Sequence, residues 1–568
     1  MNGKRDTGDE RKTMLEMVRE NEEIRKKLSS ELNIHPIFAQ MLVNRGISEA
    51  KEAFKFMNPQ LKNLYDPFLM KGMKEGVERI KEAIKKKEII CIYGDYDVDG
   101  ISATALLVLT LKKLSAKVIP YIPHRLKEGY GLSVHSIKKL KEEGAGLLVT
   151  VDCGITSLEE VGFARALGMD VIVTDHHEPL AISPPACAII NPKQIGCQYP
   201  FKELAGVGVS FKLCQALNNL EDGELKVDNH LDLVALGTIA DLVPLQDENR
   251  ILVRYGLEDF SRTNKIGLKA LGEVSGINLE DIDTSHIGYR LAPRINACGR
   301  MGDARRGLNL LLTENFQEAR FLALLLEEDN RLRQKIQEEV FEEAIKLAQA
   351  VDLRERGILV LCSKNWHRGV IGIVASRLVE EYCCPVILIA VENGTGYGSA
   401  RSIEGVNIIE ILNENSDLFS SYGGHKYAAG FTIEEGKIEE LKKRVAASGL
   451  AGEEWLPRGI LIEAEVDPTE ISSDIFRDCL DIFSPFGHEN PYPSFLARNM
   501  KITELPRVTG NGNLLLTLRG KKGTAVAVGF KKGVLAEELR EGDCLDIVFS
   551  PRLDRNNELY LRIEEIYQ

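Results

Sequence analysis

The sequence predicts an α/β protein whose main domain is a doubly wound parallel sheet. Strand-like apolar runs alternate with helical segments between about residues 88 and 191, which is the pattern of βαβ units. A long helical pattern over about 314–350 then leads to a second, smaller α/β unit. After Pro457 the chain changes to short strands with glycine turns, which predict a small β-barrel, although a sandwich fits almost as well.

The N-terminal part is predicted to be helical. Residues 1 to about 30 carry charges of both signs and read as a charged helix, and HPIFAQMLVNRGISEAKEAFKFMNP reads as a short helical unit that ends at Pro59. The sheet follows a helix from about Gly72 to Lys87. Its predicted strands are EIICIYG, KVIPYIP, GLLVTVD, DVIVTD and CAIIN.

The connecting helix is predicted from an apolar repeat at three- and four-residue spacing, formed by Leu332, Ile336, Val340, Ala344 and Leu347. The second α/β unit has the strand patterns GILVLC and PVILIAVE around the helical GVIGIVASRL. The predicted parts are an N-terminal helical segment (1–60), the first α/β domain (61–255), a connecting helical region (256–350), the second α/β domain (351–450) and a barrel of the oligonucleotide-binding (OB) type (456–568).

Composition excludes several classes of protein. The 568 residues are 44% hydrophobic and 28% charged, and no apolar run approaches the roughly 18 residues that a membrane span needs. The first residues lack the apolar stretch of a secretory signal, so we expect a cytoplasmic protein. A net charge of −13 argues against a nucleic-acid partner, but local basic patches decide such binding and composition cannot show them.

Four acidic or histidine-containing motifs follow apolar runs: GDYDVDG at 94–100, VDCG at 151–154, TDHHEP at 174–179 and GTIADLVPL at 237–245. Open parallel sheets bind ligands at the carboxyl ends of their strands, so we expect these motifs to converge. Their carboxylates would repel one another unless divalent cations occupied the site. The carboxylates concerned are Asp95, Asp97, Asp99, Asp152, Asp175 and Asp241.

Each motif alone has an ordinary interpretation. DYDVDG resembles a calcium loop, but an EF-hand needs a preceding helix and a glutamate at the twelfth position, where this chain has Leu106. A solvated acidic turn explains that motif but not the other three. His176 and His177 are consecutive, so either one is a ligand and the other faces substrate, or both are core histidines. Together the oxygen and nitrogen ligands suit Mn²⁺ or Mg²⁺ better than a thiolate zinc site.

The joint order of the motifs resembles the DHH phosphoesterase superfamily, and within it most closely the RecJ family of single-stranded-DNA exonucleases. The resemblance covers nearly the whole chain. Besides the four motifs it rests on HPIFAQMLVNRG, IPHRLKEGYGL at 122–132, LAPRINACGRMGDA at 291–304, WHRGVIGIVASRL at 366–378, GSARS at 398–402, GGHKYAAGF at 423–431 and FSPFGHENPYPSF at 483–495.

This resemblance implies roles for individual residues. Two metal ions would be held by Asp97, Asp99, Asp152, His176 and Asp241, with Asp152 bridging them. Catalytic support would come from Asp95, Asp175 and His177. Substrate would be bound by Arg125, Tyr130, Arg294, Asn296, Arg300, Ser399, Arg401 and His425, of which Arg300, Ser399 and Arg401 match positions that hold a 5′ phosphate. From the residues alone, an ordinary surface loop is the favoured interpretation of Arg294, Asn296 and Arg300, whereas base stacking and turn packing explain Tyr130 equally well.

The resemblance also implies the activity. We expect a metal-dependent exonuclease that hydrolyses single-stranded DNA from the 5′ end to 5′ mononucleotides, with two Mn²⁺ or Mg²⁺ ions, in DNA recombination and repair. The second α/β unit would be a DHHA1 domain. Expected partners are single-stranded DNA, a single-strand-binding protein and a RecQ-type helicase, with no membrane. The alternative is a phosphodiesterase for short oligoribonucleotides or cyclic dinucleotides, and a metal-silent binding protein on the same fold is a third hypothesis.

Overall fold

The computed structural model describes residues 15–17, 21–125, 127–219, 226–351, 357–446, 459–554 and 558–567. They form two compact units, and each is described by itself below. The first unit comprises 1–65, 242–255 and 458–568, and the second comprises 66–241 and 256–457.

The N-terminal segment contains one short strand and three helices. They are β1 (Leu15–Met17), α1 (Glu22–Leu32), α2 (Pro36–Asn44) and α3 (Ala50–Met57). Of the helix predicted over residues 1–30, positions 1–14 and 18–20 lie outside the described residues. The prediction is wrong at 15–17, because this stretch pairs in parallel with residues 460–462. A pairing partner at the far end of the chain leaves no trace in a local pattern.

The first α/β sheet is entirely parallel, in the order β3-β2-β4-β5-β6. Its strands are β2 (Ile89–Gly94), β3 (Lys117–Tyr121), β4 (Ala145–Val151), β5 (Asp170–Thr174) and β6 (Ala188–Ile190). Its first helices are α4 (Met73–Lys86), α5 (Val98–Lys113), α6 (Val134–Glu142) and α7 (Leu158–Ala166). Helices pack on the sheet, and the central strands are almost wholly buried, as expected for parallel strands covered on both faces. The predicted fold class is confirmed.

Helices dominate the chain between the two sheets. They are α8 (Gly206–Asn219), α9 (Leu231–Ala240), α10 (Asp247–Ser261), α11 (Ile266–Val274), α12 (Thr284–His286), α13 (Ala292–Met301), α14 (Arg305–Leu312) and α15 (Phe316–Ala348). A π-helical turn, Ile287–Leu291, separates α12 from α13. The helix predicted from the apolar repeat is the 33-residue α15.

The second sheet is mixed, in the order β10-β11-β9-β8-β7. Its strands are β7 (Leu359–Ser363), β8 (Val386–Glu392), β9 (Thr395–Arg401), β10 (Phe419–His425) and β11 (Ala428–Glu434). Its helices are α16 (Ile371–Tyr382), α17 (Ile408–Glu414) and α18 (Ile438–Ala446). Only β7 and β8 are parallel, so this sheet carries an antiparallel extension on a small α/β core.

In its described residues, the C-terminal segment consists of β-strands and the helix α19 (Ser473–Phe483). Its strands are β12 (Ile460–Ile462), β13 (Ala464–Glu465), β14 (Phe495–Ile502), β15 (Arg507–Val508), β16 (Leu514–Arg519), β17 (Thr524–Gly529), β18 (Cys544–Leu553) and β19 (Leu559–Tyr567). The sheet order is β13-β14-β18-β19-β17-β16-β15, and β14 also pairs with β16, which gives the predicted OB-type arrangement.

The N-terminal helices and the C-terminal strands share one core. Phe38 of α2 packs against Phe483 of α19, and the same buried cluster continues to Phe495 and Phe549 of the sheet. A buried ion pair at 2.8 Å joins Arg45 Nη1 to Glu463 Oε1. In the part of the chain that the structure describes, no helix combines the length and apolar character needed to cross a membrane.

Candidate active site

Eight side chains meet at the carboxyl edge of the first sheet, and we call them the metal cluster. They come from the loops after β2, β4 and β5 and from the end of α9. Because neighbouring parallel strands end at the same edge, residues far apart in sequence converge there. The members are Asp95, Asp97, Asp99, Asp152, Asp175, His176, His177 and Asp241.

Within the metal cluster, three overlapping groups have ligand atoms within 4.8 Å of one another. The groups are Asp95 with Asp97 and Asp152, Asp152 with His176 and His177, and Asp99 with His176 and Asp241. Asp152 and His176 each belong to two groups. The structure therefore brings all five predicted ligands together and places Asp152 between the β2 loop and the histidines.

Asp97 and Asp99 are positioned by helix termini. Asp97 caps α5, since its carboxylate accepts a hydrogen bond from the Gly100 amide at 3.1 Å. Asp99 lies in the first turn of α5 and accepts from the amides of Gly206 and Val207 at 2.6 and 2.8 Å. These two amides begin α8, whose N-terminal partial positive charge favours a carboxylate.

Two glycines give the carboxylates room to approach, and the sequence interpretation missed both. A Cβ on Gly206 would lie 2.6 Å from Oδ1 of Asp152, and a Cβ on Gly237 would lie 2.7 Å from Oδ1 of Asp99. Both distances are shorter than any ordinary contact. The motif AGVGVS at 205–210 is the only sequence feature that could have pointed to the first of them.

Three buried ligand atoms of the cluster find no hydrogen-bond partner among the described residues. They are Oδ1 of Asp95, Oδ1 of Asp152 and Nε2 of His176. Asp152 also adopts a left-handed backbone conformation, with φ of +60°, directly after β4. Buried polar atoms are normally satisfied, so this concentration indicates a ligand that engages all three.

His176 presents the lone pair of a neutral imidazole. Burial and the neighbouring His177 lower the pKa of His176 to about 3. Its ring also hydrogen-bonds the backbone of Leu204, and because Nε2 is unpartnered, this bond belongs to Nδ1. Nε2 lies 3.1 Å from Oδ1 of Asp152 and 3.6 Å from Oδ2 of Asp241. A backbone contact on the second ring nitrogen is the usual arrangement of a metal-binding histidine.

His177 differs from its neighbour, because its Nδ1 lies 2.7 Å from Oδ1 of Asp175. Burial opposes the charged ring, but this hydrogen bond and the charge of Asp175 raise the pKa of His177 to about 9. Asp175 also accepts from the amides of Ile155, His176 and His177. The two consecutive histidines therefore have different protonation states, one neutral and one cationic near pH 7.

The remaining carboxylates are poorly solvated. Burial, followed by repulsion from neighbouring carboxylates, raises the pKa of Asp95, Asp152 and Asp241 well above the usual range. The same causes raise the pKa of Asp99 to about 7. Divalent cations remove this repulsion, and a set of carboxylates with one imidazole matches the preferences of Mn²⁺ and Mg²⁺.

A second group of predicted residues forms what we call the arginine pocket, made of Arg300, Ser399 and Arg401. Nη1 of Arg401 donates to Oγ of Ser399 at 3.1 Å and to the carbonyl of Ala400 at 2.8 Å. Nη1 of Arg300 donates to the carbonyl of Gly369 at 3.1 Å. Burial and the guanidinium groups of Arg125, Arg401 and Arg333 lower the pKa of Arg300 to about 9.

Helix α16 begins beside the arginine pocket. A Cβ on Gly372, in its first turn, would lie 2.9 Å from Nη2 of Arg401 and 3.0 Å from Oγ of Ser399. No side chain caps this helix at Val370. The amides of the first turn thus lie next to two predicted phosphate-binding side chains, an arrangement suited to anions that the sequence interpretation did not identify.

The other predicted substrate residues lie in different surroundings. Arg294 forms an ion pair with Glu327 of α15, with its Nε 2.7 Å from Oε2 of the carboxylate. Asn296 accepts from the amide of Val98 at 3.2 Å and so braces the start of α5. His425 ends β10, and burial followed by repulsion from Arg401 and His177 lowers its pKa.

Tyr130 is half exposed, and its ring meets His177 edge to face with centroids 6.0 Å apart. Arg125, from the same loop, lies over the ring of Tyr96. Tyr96 itself was not predicted as a functional residue. Its position between Asp95 and Asp97 in the motif was the only hint of its place in the site.

The chain is 42% identical over 542 residues to the single-stranded-DNA-specific exonuclease RecJ of Bacillus subtilis strain 168, covering 94% of this chain and 68% of that protein. The chain belongs to the RecJ family. The RecJ of Escherichia coli K12 is 37% identical, over 81% of this chain and 83% of that protein.

Family models agree with the three parts that carry sheets. The DHH family N-terminal domain matches residues 89–238, the DHHA1 domain matches 355–448 and the RecJ OB domain matches 462–564. A crystal structure of RecJ from Thermus thermophilus in complex with Mn²⁺ superposes with a TM-score of 0.82 and 31% identity, covering 97% of this chain and 79% of that one. A Mg²⁺ complex of the same RecJ gives a TM-score of 0.77.

Proposed function

We propose that this RecJ-family chain is a metal-dependent exonuclease that hydrolyses single-stranded DNA from the 5′ end to 5′ mononucleotides, in DNA recombination and repair. One observation carries the proposal. Unpartnered ligand atoms of Asp95, Asp152 and His176 converge at the edge of the first sheet. A RecJ structure of the same fold was solved in complex with Mn²⁺, and the carboxylates and imidazole of the metal cluster suit that ion.

The metal cluster fits two Mn²⁺ or Mg²⁺ ions. Two ions would be held by Asp97, Asp99, Asp152, His176 and Asp241, whose ligand atoms fall in three overlapping groups, and the family resemblance assigns the shared position to Asp152. When bound, such ions supply Lewis acidity, activate water and stabilise the leaving oxygen of a phosphodiester. Asp99 keeps its orientation through the α8 amides, and His176 through the backbone of Leu204.

Residues beside the proposed ligands orient the substrate. Asp175 fixes Nδ1 of His177 as a donor, which leaves Nε2 as the ring atom that can donate to a phosphate oxygen. Because the pKa of His177 is about 9, the ring is cationic near pH 7 and can neutralise charge that develops on the phosphate. Asp95 adds a buried carboxylate to the group of Asp97 and Asp152.

The arginine pocket is the proposed anchor for the 5′ phosphate. Arg300, Arg401 and nearby Arg125 repel one another, and a dianionic terminal phosphate relieves this repulsion better than an internal diester does. The Ser399 hydroxyl and the first-turn amides of α16 add neutral donors. An anchor for one chemical end of the strand provides the 5′-to-3′ direction.

Tyr130 and His425 are further proposed contacts of the strand. The exposed face of Tyr130 suits stacking on a base, since stacking tolerates any base sequence. We further propose a cytoplasmic location, with a single-strand-binding protein and a RecQ-type helicase as partners.

Digestion of end-labelled single strands tests the proposal. Single-stranded DNA should be cut from its 5′ end with Mn²⁺ or Mg²⁺, release 5′ mononucleotides, and stop with a chelator. Blunt duplex DNA should resist, and RNA should be cut slowly. Preferential hydrolysis of short oligoribonucleotides or cyclic dinucleotides would identify the alternative phosphodiesterase instead. Binding without hydrolysis of any substrate would contradict an enzymatic function.

A further inference from the structure

Tyr96 occupies an unusual position, since it lies between Asp95 and Asp97 yet contacts residues of two other segments, the loop of Arg125 and Tyr130 and the helix of Gly299. The guanidinium carbon of Arg125 lies over its ring, 4.7 Å from the centroid. Its ring meets that of Tyr130 edge to face at 6.4 Å. A Cβ on Gly299, which precedes Arg300, would lie only 3.0 Å from the carbonyl of Tyr96.

The guanidinium of Arg125 is repelled by neighbouring arginines and attracted by a neighbouring carboxylate, so its orientation depends on further contacts. Arg300 and Arg401 are close enough for their positive charges to interact with it. Asp95 attracts the guanidinium, and the negative face of the Tyr96 ring supplies a second attraction of defined geometry. The ring thus selects one orientation of a side chain that repulsion would otherwise displace.

The loop that carries Arg125 is fixed at other points of its backbone. The Glu128 carboxylate accepts from the Tyr121 hydroxyl at 2.6 Å and from the His124 amide at 2.7 Å. The Tyr93 hydroxyl donates to the carbonyl of Gly131 at 3.0 Å. These contacts hold the loop, whereas the Tyr96 ring holds the guanidinium at its tip.

We propose that Tyr96 is a positioning residue that aligns Arg125 with the phosphate backbone of a bound single strand. The inference rests on the proposed function, and it extends that function by assigning a role in strand binding to the residue that precedes the proposed metal ligand Asp97. The ring face makes the contact, so the hydroxyl is not required. Tyr96 therefore acts on affinity for the strand, through Arg125, and not on the chemical step.

The expected effects are specific. Tyr96→Leu should raise both KM and the Kd for a 5′-phosphorylated single strand about tenfold, as loss of a well-placed cation–π contact and of the phosphate contact behind it predicts. The value of kcat and the affinity for Mn²⁺ should change less than about twofold. Tyr96→Phe should behave like the unchanged protein, because it keeps the ring.

A double-mutant cycle tests the coupling. The variants are Tyr96→Leu, Arg125→Ala and the pair, and Kd is measured by fluorescence anisotropy with a short phosphorothioate strand that resists cleavage. The double variant should bind no more weakly than Arg125→Ala alone. Phe163→Leu is the matched control, because it removes a ring under Lys138 on the outer helices α6 and α7, with Nζ 5.6 Å from the centroid.

Additive losses in the cycle would overturn the inference, as would a Tyr96→Phe variant as weak as Tyr96→Leu. A fall in kcat or in Mn²⁺ affinity with unchanged Kd would also overturn it, because Tyr96 would then support the metal loop. Binding is measured without hydrolysis, so the cycle gives its answer whatever the strand assay shows. Failure of the unchanged protein to hydrolyse DNA would count against the proposed function alone.

Discussion

The metal cluster and the arginine pocket lie in the same unit but concentrate charges of opposite sign. In the cluster, burial and neighbouring carboxylates raise the pKa of Asp95 and Asp152. Buried ligand atoms of Asp95, Asp152 and His176 also have no hydrogen-bond partner among the described residues. In the pocket, burial and neighbouring guanidinium groups lower the pKa of Arg300 to about 9. The metal cluster is therefore suited to binding cations, and the arginine pocket to binding an anion.

This difference separates two tasks that an end-specific nuclease must perform. Cations at the cluster supply the chemistry of hydrolysis, and every phosphodiester of the strand presents the same group to them. In our proposal, the pocket distinguishes a terminal phosphate from an internal one. We therefore expect substitutions in the cluster to remove hydrolysis on all strands, and substitutions in the pocket to change which end is preferred.

The largest effect is expected at Asp152. Asp152→Asn should lower the rate of hydrolysis at least about 10³-fold on all strands, because it removes a charge shared between two ligand groups. Asparagine tolerates the left-handed backbone at this position, so the fold should survive, as circular dichroism would show. Asp170→Asn, at an exposed site paired with Arg79, is the control. Near-normal hydrolysis by a folded Asp152→Asn would contradict the metal assignment.

A smaller loss is expected from a single methyl group. Gly206→Ala places a Cβ 2.6 Å from Oδ1 of Asp152, so either the carboxylate or α8 must move. We expect a loss of roughly 10- to 100-fold in hydrolysis, with weaker Mn²⁺ binding by titration calorimetry. Gly162→Ala in α7 meets its nearest atom, Pro185 Cγ, at 3.8 Å and should leave both unchanged. If Gly206→Ala and Gly162→Ala hydrolyse DNA and bind Mn²⁺ equally well, a Cβ at position 206 does not disturb Asp152.

The arginine pocket should respond selectively. Arg401→Ala should lower kcat/KM about tenfold on 5′-phosphorylated strands and much less on 5′-hydroxyl strands, as expected for one charge-assisted hydrogen-bonding group. The measurement is initial rates on the two strands under identical conditions. Arg444→Ala provides the control, because Arg444 pairs with Asp417 and Glu440 on the surface. If Arg401→Ala slows both strands by the same factor, it is a general backbone contact.

The smallest effect on hydrolysis is expected at Arg294. The side chains of Arg294 and its ion-pair partner Glu327 are each only 14% exposed, so Arg294→Gln removes one of two charge partners from a mostly buried carboxylate and leaves it only the exposed Arg331. We expect a stability loss of about 1–3 kcal/mol in urea unfolding, with kcat/KM within about threefold of the unchanged value. Replacing Glu327 by glutamine as well should recover part of the stability. A large fall in kcat/KM at full stability would place Arg294 on the DNA.

The metal cluster could be predicted because strand ends are local features. Asp95, Asp152 and Asp175 each follow an apolar strand, and parallel strands must end together. Contacts between distant segments of the chain could not be predicted from the sequence. The α8 amides on Asp99, the Asn296 brace on α5 and the strand at 15–17 all depend on partners far along the chain.

The arginine pocket came from resemblance and not from local pattern. Arg300 lies in the last turn of a helix and Arg401 ends a strand about a hundred residues later, and neither motif shows by itself that the two side chains converge. The same holds for the Tyr96 ring under Arg125, since cation–π geometry is not encoded in spacing. The predicted domain limits at 60, 255, 350 and 456, and the roles assigned to individual site residues, stay predictions.

Binding of 5′-phosphorylated and 5′-hydroxyl single strands by the unchanged protein, Asp152→Asn and Arg401→Ala tests the division of tasks most directly. Fluorescence anisotropy gives Kd for each of the six combinations without requiring hydrolysis. Asp152→Asn should keep the preference for the phosphorylated strand, and Arg401→Ala should lose most of it. The account is contradicted if Asp152→Asn loses the preference while Arg401→Ala retains it, because the cluster would then recognise the strand end.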